Sequence, residues 1–227
     1  MFNRAQNKYI SVYDRPFDFN VSVTYTTPIV KFNKAVSWAL RDWTYGAALE
    51  YASGTPLQVP NAQSNLNNYL FQGPSFANRV PGVPLYTVDL NCHCYDPNKT
   101  FVLNPAAWTD PPTGQFGASA AYYSDYRTQR RPRENMNLGR TWRFKEDRLK
   151  ISVRAEFTNV FNRAFWGDPS GTGLTNAKLQ QVYFTSGATN GNTNTGFGKV
   201  STTAPSAFGS VFNLQPRQGV VVGRFEF

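Results

Sequence analysis

The chain has 227 residues, of which 41% are apolar, 15% aromatic and only 16% charged, with a formal net charge of +9 and a pI near 9.7. That length suits one all-β domain or a large piece of a bigger one. The mean hydropathy is −0.46, and no apolar run approaches the roughly 18 residues that a membrane helix needs. A nucleic-acid partner would need the basic residues gathered on one element. Only Arg127-Thr-Gln-Arg-Arg-Pro-Arg133 gathers them, in a segment rich in Pro and Tyr, so no nucleic-acid partner is expected.

Strict apolar–polar alternation, the mark of a strand with two different faces, appears in five places. The first is 17–25, with Phe17, Phe19, Val21, Val23 and Tyr25 on one face and Asp18, Asn20, Ser22 and Thr24 on the other. The second is 43–51, whose apolar face starts at Trp43 and ends at Tyr51. The third, 136–144, carries Met136, Leu138, Trp142 and Phe144 on a face that also includes Arg140. An arginine there must either lie near a membrane interface and snorkel or mark a bulge. The fourth, 149–157, is the most regular, with Leu149, Ile151, Val153, Ala155 and Phe157 opposite Lys150, Ser152, Arg154 and Glu156. The last is 219–227, with Gly219, Val221, Gly223, Phe225 and Phe227 on one face and Arg224 and Glu226 on the other. Each run is close to the 9–11 residues with which a tilted strand spans a bilayer.

The connections alternate in length. A moderate link between the first two strands predicts a short helical turn over Ala35-Val-Ser-Trp-Ala-Leu40. The third and fourth are joined by the tight turn Lys145-Glu-Asp-Arg148. Long stretches without a strand pattern separate the second strand from the third and the fourth from the last. Short turns at one end and long loops at the other are the layout of an outer-membrane barrel, although aromatic-rich composition alone also fits a secreted β-sandwich for adhesion or glycan binding. The fold class expected is therefore all-β, an antiparallel up-and-down transmembrane β-barrel segment with long extracellular loops, over 1–227. Five strands cannot close such a barrel, which needs about eight or more. Met1-Phe-Asn-Arg-Ala-Gln-Asn-Lys8 lacks the apolar core of a secretory signal. Both points lead to the expectation of a C-terminal portion of a longer exported protein.

Particular motifs sharpen this. Arg154-Ala-Glu-Phe-Thr-Asn-Val-Phe-Asn162 resembles a strand near the end of TonB-dependent receptors, and most resembles the Oar-like branch of acidobacterial type, which carries a carboxypeptidase-regulatory-like domain. Tyr51-Ala-Ser-Gly-Thr-Pro-Leu57, Leu103-Asn-Pro-Ala-Ala-Trp108 with Gly114-Gln-Phe-Gly117, and Pro216-Arg-Gln-Gly-Val-Val-Val222 resemble further stretches of that family in the same order. The resemblance implies the last strands of a barrel of about 22 strands used for energy-coupled uptake of a large ligand. The implied partners are outer-membrane lipid and lipopolysaccharide, the barrel-assembly machinery, and the TonB complex acting through N-terminal parts. No plug domain or TonB box is found in 1–227. The terminal Phe225 and Phe227 resemble the outer-membrane assembly signal of such proteins. If the last strand ends at the periplasm, the Lys145-Glu-Asp-Arg148 turn is periplasmic and both long loops are extracellular.

Candidate functional residues fall in two groups. Lys150, Arg154, Glu156 and Arg224 are candidates for a polar, lumen-facing wall, weighed against a plain ladder of cross-strand charges. Tyr122, Tyr123 and Tyr126 beside Arg127, Arg130, Arg131 and Arg133 are candidates for an extracellular ligand-contact loop, since aromatics and arginines suit recognition, weighed against a packed loop. Cys92-His93-Cys94 are too close together for an ordinary tetrahedral metal site, so a disulfide or a loop-structural role is favoured. No catalytic residues, cofactor or metal are expected: no relay, nucleophile elbow or phosphate loop is present.

Overall fold

A computed structural model describes residues 8–28, 34–62, 75–92, 94–144, 148–163, 166–170, 181–183, 194–200 and 216–227. In chain order the elements are β1 (Asp18–Thr26), α1 (Lys34–Leu40), β2 (Trp43–Ala52), β3 (Pro56–Gln58), β4 (Asn78–Arg79), a 3-10 turn (Pro105–Ala107), β5 (Trp108–Thr109), β6 (Tyr122–Arg127), β7 (Arg133–Phe144), β8 (Leu149–Thr158), β9 (Gln181–Tyr183), β10 (Asn194–Gly196) and β11 (Gln218–Glu226). They fall in two compact units.

One unit comprises Phe17–Ala52, Arg131–Phe165 and Asn213–Phe227. It is a five-stranded antiparallel sheet in the order β1-β2-β7-β8-β11. All five alternating segments become its strands. β7 begins earlier than its apolar pattern suggests, because Arg133 and Glu134 continue the ladder opposite Glu50 and Leu49, where polar side chains hide the alternation. β7 and β8 form the expected hairpin, paired down to Phe144↔Leu149, and β11 pairs with β8. Of the turn between them, 145–147 lies outside the described residues. By register, β1 starts where β2 ends (Asp18↔Ala52) and β11 starts where β8 ends (Gln218↔Thr158), so the long excursions all leave from one end of the sheet.

The helical turn expected between the first two strands is α1. Asp42, at φ 64°, reverses the chain after it. The Thr27 hydroxyl donates to the Leu40 carbonyl at 2.7 Å, the Thr27 amide to the Trp43 carbonyl at 2.8 Å, and Trp43 Nε1 to the Ala39 carbonyl at 2.9 Å. These bonds tie the helix to the ends of β1 and β2.

The other unit comprises Met1–Pro16, Ser53–Arg130 and Trp166–Phe212. Here the expectation of long stretches without structure is corrected. Short pairs β3–β6, β4–β5 and β9–β10 surround a core of Leu57, Val59, Leu85, Val102, Leu103, Trp108, Tyr126, Phe197 and Val200. Strands of two to six residues are too short to show a period, and this core is gathered from remote segments. Close backbone approach explains two glycines. A Cβ on Gly54 would lie 1.9 Å from the Thr128 carbonyl oxygen, and one on Gly117 would lie 1.6 Å from that of Phe76. Both glycines belong to the stretches that carry the family resemblance. So does Asn104, whose side chain accepts from the Ala106 amide at 3.1 Å and donates to the Pro84 carbonyl at 2.8 Å.

Tyr86 clasps the end of β6. Its hydroxyl donates to the Arg127 carbonyl at 2.7 Å and accepts from the Arg127 amide. Its ring lies 5.8 Å from that of Tyr126, which in turn meets Trp108 edge-on at 5.3 Å. Burial, partly offset by the Arg127 hydrogen bond, pushes the Tyr86 phenol up to about 12. Burial also raises Tyr126 well above its ordinary value. Phenols that ionise later in the folded than in the unfolded state stabilise the fold fully below about pH 10, and lose that contribution as pH rises further. Spectrophotometric titration at 295 nm should therefore show two of the 12 tyrosines ionising together with a cooperative loss of tertiary signal above pH 10. Smooth titration of every tyrosine near its ordinary value, with no structural change, would contradict this packing.

Candidate functional site

The register decides what each face of the sheet can do, because a one-residue slip would exchange the faces. On one face, rows run Val23–Ala47–Met136–Phe157–Gly219, Tyr25–Tyr45–Leu138–Ala155–Val221 and Trp142–Ile151–Phe225. Phe19 is 50% exposed, Val23 53%, Val153 40% and Phe225 58%, and none of the apolar residues of β1 or β8 is buried. A soluble sandwich would bury this face in its core. Here a continuous apolar surface spans five strands, the kind of surface that hydrocarbon solvates.

The opposite face is polar. Its rows include Thr24–Gly46–Asn137–Glu156–Val220, Thr26–Thr44–Gly139–Arg154–Val222, Thr141–Ser152–Arg224 and Arg143–Lys150–Glu226. The four residues Lys150, Arg154, Glu156 and Arg224 therefore share one face. Arg154 pairs along its own strand with Glu156 at 2.5 Å, and Arg224 with Glu226 at 2.7 Å. Exposed pairs of this kind contribute roughly 0–1 kcal/mol. They make a solvated, charged wall that is closer to a ladder than to a converging pocket.

Arg140 occupies the apolar face in regular pairing, Trp43↔Arg140 and Arg140↔Val153, so no bulge re-aims it. Its guanidinium carbon lies 4.9, 5.3 and 5.1 Å from the ring centres of Trp38, Trp43 and Trp142, and Nη2 donates to the Trp38 carbonyl. Sequence reasoning flagged Arg140 but missed this cage, because Trp38 is brought in by α1. A lipid-facing arginine costs about 2–4 kcal/mol at the bilayer midplane and about 0–1 near an interface. Its row is the one where β2 begins, next to Arg41, Asp42 and α1, while on β7 and β8 the apolar face runs on past it through Trp142–Ile151 and Phe144–Leu149.

At the other end, the Arg154–Asn162 motif forms a strand cap. Asn159 and Asn162 take left-handed backbones, φ 49° and 51°, which asparagine tolerates well. The Asn159 side chain accepts from the Arg163 amide at 2.8 Å and donates to the Arg163 carbonyl at 2.9 Å. The Asn162 side chain accepts from the Arg217 amide at 3.0 Å, fixing the start of β11. Arg163 then reaches back to Glu134, with Nε 3.1 and 3.0 Å from its two carboxylate oxygens and Nη2 3.0 Å from Oε1. Glu134 has 0% side-chain exposure, and the Tyr51 hydroxyl is also hydrogen-bonded to it. The motif residues are thus occupied in closing the sheet.

The Tyr/Arg segment is largely spoken for. Tyr122, Tyr123, Tyr126 and Arg127 lie on β6. Tyr126 is fully buried, which removes it as a contact for an outside ligand. Arg127 pairs with Asp14 and its Nη1 donates to the Asp14 and Gly54 carbonyls at 2.8 and 3.2 Å. The Tyr122 ring lies 5.7 Å from Tyr9, and Tyr123 lies under Arg79, whose guanidinium carbon is 5.3 Å from its ring centre. The Arg130 amide donates to the Asn91 side chain at 2.9 Å, and Arg131 is half-buried with partners of its own. Cys92 and Cys94 form a disulfide, while His93 lies outside the described residues. Among the described residues no cluster of His, Cys, Asp and Glu has the makings of a metal site. The terminal Phe225 and Phe227 are exposed, with ring centres 5.9 Å apart.

The fold and its two-faced sheet define a wall of a transmembrane β-barrel. A family model for the outer membrane beta barrel domain matches residues 1–218, and the chain belongs to that family. It is a protein of the bacterial outer membrane. No curated protein and no solved structure matches it.

The cap makes an asymmetric prediction. Arg163→Ala leaves Glu134 buried and unpaired, which should destabilise the barrel by about 3–5 kcal/mol. Adding Glu134→Leu should recover most of that loss. Urea unfolding of the refolded barrel in lipid checks this. Equal stability of Arg163→Ala and wild type would show that the pair does not hold the strand end.

Proposed function

We propose that the chain is the C-terminal barrel portion of a TonB-dependent outer-membrane receptor of the Oar-like branch, and that the whole receptor takes up a large ligand with energy supplied from the inner membrane. The observation that carries this finer reading is the order of motifs along the chain, above all Arg154–Asn162 followed by Pro216-Arg-Gln and the aromatic terminus. In support, Asn162 and Arg217 meet directly, so two of those motifs form one structural joint. The outer edges of β1 and β11 carry no strand among the described residues. Unpaired backbone groups in hydrocarbon cost several kcal/mol each, so membrane insertion calls for further strands on both sides. On this reading the end of the sheet at Asp18, Ala52 and Thr158 faces the cell exterior, and the end at Thr26, Trp43, Phe144 and Phe227 faces the periplasm. Residues 53–130 and 166–212 are then extracellular excursions, and Lys150, Arg154, Glu156 and Arg224 line the lumen.

Photo-cross-linking in energised cells tests this in the full-length parent. The wild-type receptor should cross-link to TonB, and Phe227→Ala should lower the amount of assembled receptor while leaving cross-linking per assembled molecule unchanged. Truncating one rim aromatic removes about 1–3 kcal/mol of burial, too little to unfold a closed barrel, so the deficit belongs to assembly. Absence of any TonB cross-link would overturn the receptor reading, and normal assembly of the variant would remove the terminal signal.

A further inference from the structure

We propose that Arg140, walled by Trp38, Trp43 and Trp142, holds the phosphate of a phospholipid in the periplasmic leaflet. The proposal rests on the orientation given above, which puts the Trp43 end of the sheet at the periplasm.

Three indoles supply their negative faces above and beside the guanidinium, and such faces attract a cation. They do not satisfy its in-plane donors. A guanidinium has five N–H groups. Nη2 donates to the Trp38 carbonyl, Nε is buried with no partner, and no carboxylate pairs with Arg140 among the described residues. The nearby carboxylate, Asp42, is instead engaged by Arg41 at 3.7 Å and Arg143 at 3.6 Å. The cation is thus fixed in plane and orientation but left short of an anion.

Its depth decides which anion. Although Arg140 also pairs with Val153 midway along β8, its guanidinium reaches toward the end of the sheet where β2 begins, over Trp142 and to the Trp38 carbonyl of α1, close in sequence to the charged Arg41 and Asp42. Beside it, α1 exposes Val36, Trp38 and Leu40, an apolar set suited to the boundary of headgroups and acyl chains. At that boundary the abundant anion is the lipid phosphate, and its paired oxygens match a guanidinium edge. Trp43 Nε1 is used by the Ala39 carbonyl, while Trp38 and Trp142 have no hydrogen bond to their indole N–H among the described residues, leaving two further donors for the same headgroup. The tryptophans therefore both hold the cation and report on what occupies it.

The test uses the full-length receptor in detergent, titrated with phosphatidylethanolamine or diacylglycerol, each with brominated chains that quench tryptophan. In the wild type, phosphatidylethanolamine should quench at about fivefold lower mole fraction than diacylglycerol, as expected of one charge-assisted contact. Arg140→Gln should erase that advantage and Arg140→Lys should keep part of it. Equal quenching by both lipids, or an advantage unchanged in Arg140→Gln, overturns the site. Displacement by millimolar inorganic phosphate makes it a free-anion site and overturns the lipid assignment. Preference for lipid A over phosphatidylethanolamine places the cage in the outer leaflet, overturning the proposal together with the orientation. None of these outcomes alters the TonB cross-link, so the receptor reading stands or falls separately. If Arg140→Gln fails to give the heat-modifiable folded band, Trp38→Ala replaces it. That residue lies on α1, outside the sheet, and its loss should reduce the lipid advantage; an undiminished advantage counts against the cage.

Discussion

Backbone hydrogen bonding in hydrocarbon constrains everything else in this chain. A strand in a bilayer has no water to satisfy its amides and carbonyls, so it must pair along its length. Pairing fixes register, and register fixes which side chains meet lipid. The five strands here obey that rule without a slip from Asp18 to Glu226. One face accumulates Phe19, Val23, Tyr45, Leu138, Val153, Val221 and Phe225, and the other accumulates Asn137, Ser152, Arg154, Glu156 and Arg224. No hydrophobic core is needed beneath the sheet, which is why large apolar side chains can stay exposed in it without signalling misfolding.

Two charged exceptions interrupt the alternation, and the apolar face continues past the second of them through Trp142 and Phe144. Glu134 and Arg140 are the two charged residues of β7 on the apolar face, six positions apart. Glu134 is covered by Arg163 and Tyr51, and Arg140 by three tryptophans. Each charge is accommodated by a different device: an ion pair folded back by the Asn159–Asn162 turn for Glu134, and aromatic faces, one of them delivered by α1, for Arg140. Between them the face is uninterrupted. The sequence motifs that resemble receptor strands do their physical work at such joints, in left-handed asparagines, close-packed glycines and a capping Asn104.

The sheet was legible in the sequence because membrane strands have a strict period of two and a length set by the bilayer. β1, β2, β8 and β11 begin and end close to where alternation does, and even the pairing of β11 with β8 follows from the rule that sequential strands pair in an up-and-down barrel. The second unit was not legible. Its strands are brief, its core joins Leu57 to Phe197 and Val200 across more than a hundred residues of chain, and Tyr126 looks like a recognition residue until its burial is seen. Among the candidate site residues, the polar face of β8 and β11 could be assembled from period alone. The cage around Arg140 could not, since it depends on where a seven-residue helix places Trp38.

The most direct measurement is a period-two accessibility scan of the barrel in liposomes. Nitroxide labels at positions 23, 45 and 153 would be compared with labels at 22, 44 and 152, using oxygen and a water-soluble nickel chelate as relaxants; Cys92 and Cys94, joined in a disulfide, leave introduced cysteines as the reactive ones. Positions 23, 45 and 153 should be oxygen-accessible and nickel-protected, and their neighbours the reverse, in phase across all three strands. Nickel access on both faces, or a phase that inverts between strands, would contradict a lipid-facing sheet in this register.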